Sequence, residues 1–238
     1  MLKFLGRGSG FSDNHNSSFF VYNNELIMID CSIMAFIRLK NEGITSFTEG
    51  KDVEKITILI THTHSDHIGG IPMLIHYSYF VWKLPVTVLT ATDEVKADMD
   101  YYLTRLDGCD KSAFTIESLE TYDKLEWLRD IIPTKHVEPL DGKCFGYRLS
   151  IDGKSVVYTG DSRTIKTYLP YIENDSYLFT ECSAFKTEVH TPIEEVVKLK
   201  DYFKEKNVKV YLMHLDAEGE IRNRICGTGI LLAPLCVP

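Results

Sequence analysis

The 238-residue sequence has no C-x-x-C pair, no internal repeat, no low-complexity tract and no Pro/Gly/Ser-rich linker. Its six cysteines (Cys31, Cys109, Cys144, Cys182, Cys226 and Cys236) are scattered, which favours free thiols over a disulfide framework or a thiolate zinc site. No apolar run reaches the length needed to cross a bilayer, and Met1 to Arg7 lacks the apolar core of a signal peptide, so a cytoplasmic protein with no membrane partner is expected. Positive charge is in deficit. With 26 basic against 34 acidic residues the formal charge is −8, which leaves no general footprint for nucleic acid. What remains is 44% hydrophobic and 25% charged, enough for one sizeable core, and a single domain over residues 1–238 is expected.

Short apolar or alternating runs predict strands first. Met1 to Leu5, Ser17 to Tyr22 and Leu26 to Ile29 read this way, the last two joined by the turn-forming pair Asn23-Asn24. Ser32 to Asn41 has helical spacing, and Lys55 to Ile60 is a β-branched run of buried-strand type. A helical stretch follows Gly69-Gly70, then a strand at Val86 to Leu89 and a Thr/Asp-capped helix from Thr92 to Leu106. Further strands are expected at Ile131 to Val137, Phe145 to Ile151, Ser155 to Thr159, Tyr177 to Thr180 and Val208 to Met213, with a hairpin turn at Asp152-Gly153 and a helix start at Thr191-Pro192.

Histidine is the informative residue type. Of eight, three fall in Thr61-His62-Thr63-His64-Ser65-Asp66-His67-Ile68-Gly69-Gly70, immediately after the buried run. Residues at i and i+2 of an extended segment point the same way, so His62 and His64 can reach one ion, while Asp66 and His67, on the following turn, can face a neighbouring one. Four such donors in six residues are too many for one tetrahedral site, and two adjacent metals divide them naturally. A polar loop of solvated histidines is the competing explanation. Against it stand His136, Asp161 and His214, each a polar residue at the end of a later apolar run, where α/β sites are usually built.

Thr-His-x-His-x-Asp-His, a lone His, then Tyr158-Thr159-Gly160-Asp161 and a late strand ending in His214 resemble the metallo-β-lactamase superfamily over nearly the whole chain. The resemblance implies an α+β (αββα) sandwich of two sheets with helices on both outer faces. It also implies that His62, His64 and His136 hold a first metal, Asp66, His67 and His214 a second, and Asp161 bridges both. The nucleophile would be a hydroxide between two divalent ions, zinc first, with manganese and iron also accepted by this donor set.

Leu5-Gly6-Arg7-Gly8-Ser9-Gly10, Ile29-Asp30-Cys31, and Phe179-Thr180-Glu181-Cys182-Ser183 before His190-Thr191-Pro192 are similar to the ribonuclease Z-like phosphodiesterase branch. That likeness implies catalytic roles for Asp66, for His190 as acid or phosphate clamp, and for Glu181 as its orienter. For His190 the competing explanation is a residue that merely neighbours a helix cap, and for Glu181 an isolated acid. His15 and His76 are left without a role.

The tRNA-cleaving members usually carry a long arm between the third histidine and the bridging aspartate. Here Asp161 follows His136 by 25 positions, already filled by two strands and their turn. With the acidic balance, this disfavours a large RNA and favours a small anionic phosphodiester such as a cyclic nucleotide or sugar cyclic phosphate. A ribonuclease Z-type endonuclease and a lactone, thioester or β-lactam hydrolase remain as alternatives. The branch often forms homodimers. The apolar segment Ile225 to Pro234 is expected to pack on the core, with a second subunit as the other reading.

Overall fold

The computed structural model describes residues 1–122 and 125–236. The chain divides into two compact units, each built on one six-stranded sheet.

The N-terminal unit covers Leu2–Gly6, Asp13–Asp123 and Leu235–Pro238. Its strands β1 (Lys3–Gly6), β2 (Ser17–Tyr22), β3 (Glu25–Ile29), β4 (Lys55–Leu59), β5 (Val86–Thr90) and β6 (Thr115–Ser118) lie side by side in chain order. The first three are antiparallel, and β3 to β6 are parallel. Asn23 and Asn24 close the β2–β3 hairpin with φ of 47° and 60°, the two left-handed positions that a tight hairpin turn requires. Leu26, Ile27, Met28, Ile56 and Ile58 are all fully buried, as continuous apolar runs in a parallel sheet demand.

Helices α1 (Ile33–Glu42), α2 (Ile44–Phe47), α3 (Ser65–Ile68), α4 (Ile71–Tyr77) and α5 (Asp93–Tyr101) belong to this unit. Ser32 caps α1 by accepting a hydrogen bond from the Ala35 amide at 3.1 Å. The helix expected from Thr92 to Leu106 is capped by Thr92 but ends sooner as α-helix: Tyr102–Leu106 is a wider π-type turn. A similar turn, Ser78–Trp82, follows α4. The reason for Gly70 is spatial, because a β-carbon there would run into the Ser32 carbonyl.

The C-terminal unit includes Arg7–Ser12 and Lys124–Pro234. Its strands are β7 (Leu128–Thr134), β8 (Cys144–Ile151), β9 (Lys154–Tyr158), β10 (Tyr177–Glu181), β11 (Lys209–Met213) and β12 (Leu231–Leu232), again adjacent in chain order. Here too the first three are antiparallel and the rest parallel. Helices α6 (Ile193–Lys198), α7 (Lys200–Glu205) and α8 (Glu218–Arg224) contribute Val196, Phe203 and Ile221 to a core shared with Val157, Leu178, Val210 and Leu212.

β7 begins and ends three residues before the strand expected at Ile131 to Val137, so His136 lies in a loop rather than in the ladder. The apolar C-terminal segment packs on this unit's own core: Ile225, Ile230 and Ala233 are buried, and Leu231–Leu232 adds to the sheet edge as β12. Gly146 on β8 is required by close approach. A β-carbon there would lie 2.5 Å from a Tyr168 ring atom and 2.6 Å from the Tyr158 carbonyl oxygen.

Candidate metal centre

In the N-terminal unit the site residues follow β4. The backbone enters α3 through His64, in extended geometry at its N-cap, so four donors leave the strand end within one turn. They form two pairs. His62 Nε2 and His64 Nδ1 lie 3.0 Å apart, while His67 Nε2 and Asp66 Oδ2 lie 3.4 Å apart. Two nitrogens on one zinc at about 2.0–2.1 Å sit about 3.4 Å from each other in tetrahedral geometry, so each pair fits one ion. This segment alone therefore presents two close pairs of donor atoms.

A buried carboxylate orients the second pair. Asp30, fully buried just past β3 with φ of 58°, accepts hydrogen bonds from the Thr61 amide at 2.8 Å and the Thr61 hydroxyl at 2.7 Å. It also meets His67 Nδ1 at 2.8 Å. A carboxylate only accepts, so Nδ1 carries the proton and Nε2 presents its lone pair, the carboxylate–histidine arrangement of a metal ligand. The sequence reading had Asp30 only as part of a resemblance. Its role depends on β3 and β4 ending side by side, which their parallel pairing of Ile29 with Leu59 provides.

The C-terminal unit gathers its residues from four strand ends. His136 follows β7, Asp161 follows β9, Glu181 ends β10 and His214 follows β11. All four are buried. His136 Nδ1 donates to the Val189 carbonyl at 2.7 Å, which again leaves Nε2 presenting its lone pair. Asp161 Oδ2 lies 3.7 Å from His136 Nε2 and 3.4 Å from His214 Nε2. One carboxylate oxygen placed between two ring nitrogens is the arrangement a bridging ligand needs. The donor chemistry of both units, carboxylates together with imidazoles oriented by the Asp30 carboxylate and the Val189 carbonyl, fits divalent ions.

His190 joins this cluster, with its ring 5.3 Å from that of His214 and 4.9 Å from that of His136. Its Nδ1 meets Glu181 Oε2 at 3.2 Å, and Glu181 Oε1 accepts from the Ser162 amide at 3.1 Å and the Thr191 amide at 2.8 Å. Burial pushes the Glu181 carboxyl above its ordinary value, and the hydrogen bond and charge of His190 only partly offset this. Three donors, the Ser162 and Thr191 amides and the His190 ring, are aimed at the carboxyl and favour its charged form against burial. Burial by itself would lower His190, but the Glu181 hydrogen bond and charge, joined by Asp161 and Asp216, push it up to about 9. Asp216, absent from the sequence reading, also accepts from the Ser183 hydroxyl at 2.5 Å and the Ala184 amide at 2.9 Å, fixing the loop that leads to His190.

A cavity of about 820 Å³ opens elsewhere in this unit, among Lys166, Phe185, Lys186, Lys198 and Arg224. None of Asp161, Glu181, His190 or His214 lines it.

Comparison with known proteins decides the family. The description "Anti-Pycsar protein Apyc1" matches residues 1–227. The chain belongs to the anti-Pycsar Apyc1 family. An Apyc1 protein of Bacillus phage BSP38 is 28% identical over 235 residues, covering 90% of this chain and 88% of that protein. Among solved structures, the metallo-β-lactamase fold protein YhfI from Bacillus subtilis superposes with a TM-score of 0.75 at 18% identity, over 99% of this chain and 97% of its own. Human tRNase Z, short form, gives a TM-score of 0.65 at 15% identity, over 97% and 95%. The α+β (αββα) metallo-β-lactamase fold implied by the motif is therefore the fold of this Apyc1-family chain. Family and fold support a metal-dependent phosphodiesterase.

Proposed function

We propose that this protein is a dinuclear metal-dependent phosphodiesterase that opens a small cyclic phosphodiester of the cyclic-nucleotide class. The observation that carries the reading is the Glu181–His190 pair: a buried carboxylate holding an imidazole beside Asp161, the arrangement that steadies a phosphoryl oxygen and delivers a proton. Lactone or β-lactam hydrolysis has less need of such a clamp.

In this reading His62, His64 and His136 would hold one ion and Asp66, His67 and His214 a second, with Asp161 a ligand to both. Divalent ions bound there would supply Lewis-acid charge and lower the pKa of a water molecule. The chain's own residues do the rest. Asp30 and the Val189 carbonyl hold the ring orientation of His67 and His136. Glu181 keeps His190 protonated and turned toward the cluster. His190 donates to the leaving oxygen as water adds at phosphorus, so one P–O bond forms, one breaks, and a phosphomonoester with a free hydroxyl results.

The chain between His136 and Asp161 supports a small substrate. It forms a 3-10 turn at Glu138–Leu140, β8, the Asp152-Gly153 hairpin and β9, which leaves no tRNA-binding arm. Tyr79, Phe80, Val81, Tyr101 and Leu106, all exposed on the N-terminal unit, support the homodimer reading. Among the described residues no helix is long and apolar enough to cross a membrane. We further read residues 1–238 as one hydrolase domain, zinc as the native ion, and the cytoplasm as the compartment.

A panel of cyclic mononucleotides, sugar cyclic phosphates, tRNA precursors, lactones and β-lactams with metal-loaded protein tests the proposal. Cyclic phosphodiesters should be opened to monoesters, and chelation should abolish the activity. Turnover of lactones or lactams with none of phosphodiesters would overturn it.

A further inference from the structure

His76, Asp107 and Cys109 take no part in the proposed reaction, yet the fold brings them together in the N-terminal unit. His76 is on the last turn of α4. Asp107 and Cys109 flank Gly108, whose φ of 80° turns the chain back after the π-type turn, and their amides are tied to the Tyr102 and Leu103 carbonyls at 3.0 and 2.8 Å. The loop is thus fixed by its backbone, with Cys109 buried and the other two side chains each 38% exposed.

The three donor atoms form a nearly regular triangle. Cys109 Sγ lies 3.6 Å from His76 Nε2 and 3.8 Å from Asp107 Oδ2, and His76 Nε2 lies 3.8 Å from Asp107 Oδ2. Tetrahedral zinc with bonds of about 2.3 Å to sulfur and about 2.1 Å to nitrogen and oxygen would set those edges at about 3.6, 3.6 and 3.4 Å. The observed edges exceed these by at most 0.4 Å, within the reach of small side-chain rotations. Sulfur, imidazole and carboxylate together are a donor set that a borderline ion such as Zn²⁺ accepts and Mg²⁺ or Ca²⁺ does not favour.

We propose that His76, Asp107 and Cys109 form a separate Zn²⁺-class site that clips the end of α4 to the loop after α5. Binding replaces the thiol proton with the ion and releases that proton to solvent. The fourth position faces solvent through the half-exposed side chains and takes a water molecule.

Sulfur makes the test specific, because no cysteine belongs to the proposed catalytic centre. The full-length protein is stripped with chelator, loaded with Co²⁺ and scanned in the near ultraviolet for a thiolate-to-cobalt charge-transfer band. The wild-type protein should show the band, lose it on adding Zn²⁺, and bind one more Co²⁺ per chain than Cys109→Ser. His76→Gln, which keeps the thiol, should weaken Co²⁺ binding at the sulfur-containing site by about tenfold or more. Absence of the band from wild type, its persistence in Cys109→Ser, or an unchanged affinity in His76→Gln would each show a hydrogen-bonded thiol and overturn the proposal.

Discussion

The two units solve the same problem in different ways. Each places imidazoles and carboxylates at strand ends, yet the N-terminal unit uses one six-residue segment after β4, whereas the C-terminal unit draws from the ends of β7, β9, β10 and β11. The supporting groups differ as well. His67 is oriented by a side chain, Asp30, and His136 by a backbone carbonyl, that of Val189. A contiguous loop needs one carboxylate to set it, while a dispersed cluster must be locked by several loops at once. Glu181 does this by accepting from Ser162, His190 and Thr191.

The strongest break in this comparison should come from the C-terminal unit. His190→Ala is expected to lower kcat/KM on a cyclic nucleotide by about 10²–10⁴-fold while the metal content, measured by elemental analysis, stays that of wild type. Glu181→Gln should reproduce much of that loss. The double variant should then be little worse than either single one, since the two groups act as a unit.

In the N-terminal unit, Asp30→Asn keeps the volume but weakens the acceptor for His67. Metal affinity should fall by about 10–100-fold, read by competition with a chelator of known strength, and excess metal should restore activity. No side-chain substitution can do the same at Val189, so the two units should differ in how metal loss is produced.

Close approaches at Gly70 and Gly146 put one structural test in each unit. An alanine at Gly146 must displace Tyr168 or two backbone carbonyls, and about 1–3 kcal/mol of destabilisation is expected. For a chain of this length that lowers Tm by roughly 2–4 °C per kcal/mol, measurable by calorimetry. Gly70→Ala should cost stability and also loosen the metal loop, which separates it from Gly146→Ala.

The smallest effect concerns Arg7, whose Nε and Nη2 donate to both oxygens of Glu218 at 2.9 and 2.8 Å. The bonds from Arg7, helped by Arg222 and opposed by burial, hold the Glu218 carboxyl below its usual range. A depressed carboxyl stabilises the fold above its unfolded pKa and loses that contribution as pH falls through the folded value. Glu218 is partly exposed, so Arg7→Ala should cost at most about 1 kcal/mol at neutral pH in urea titration. The gap to wild type should narrow below about pH 4.5.

The contrast between the units also explains what could be read from the chain. The β4 loop was legible because all four donors are local: strand alternation and one turn determine where they point. Asp161 and His214 could be noticed as polar residues that end apolar runs, but their roles, and the choice of His190, came only by resemblance, since each taken singly is an ordinary loop residue. Asp30 and Asp216 were missed as orienting groups because their partners are 37 and 32 or more positions away. The His76, Asp107 and Cys109 triangle was missed for the same reason, with His76 read as a helical residue and Cys109 as a free thiol. The early end of β7 moved His136 into a loop, where its partner Val189 lies 53 positions on.

By itself, then, the sequence determined most of the strands and both hairpins, the histidine motif after β4 and the armless interval, carried by periodicity, turn chemistry and contiguous residues, while the superfamily came by resemblance; β6 and β12 were not anticipated. Tertiary structure alone decided which buried acceptor fixes each imidazole, that Asp161 sits between His136 and His214, and that a thiol meets an imidazole outside the main site. These depend on strand register and loop closure, and a hydrogen bond or ligand distance is set to tenths of an ångström only once those are in place.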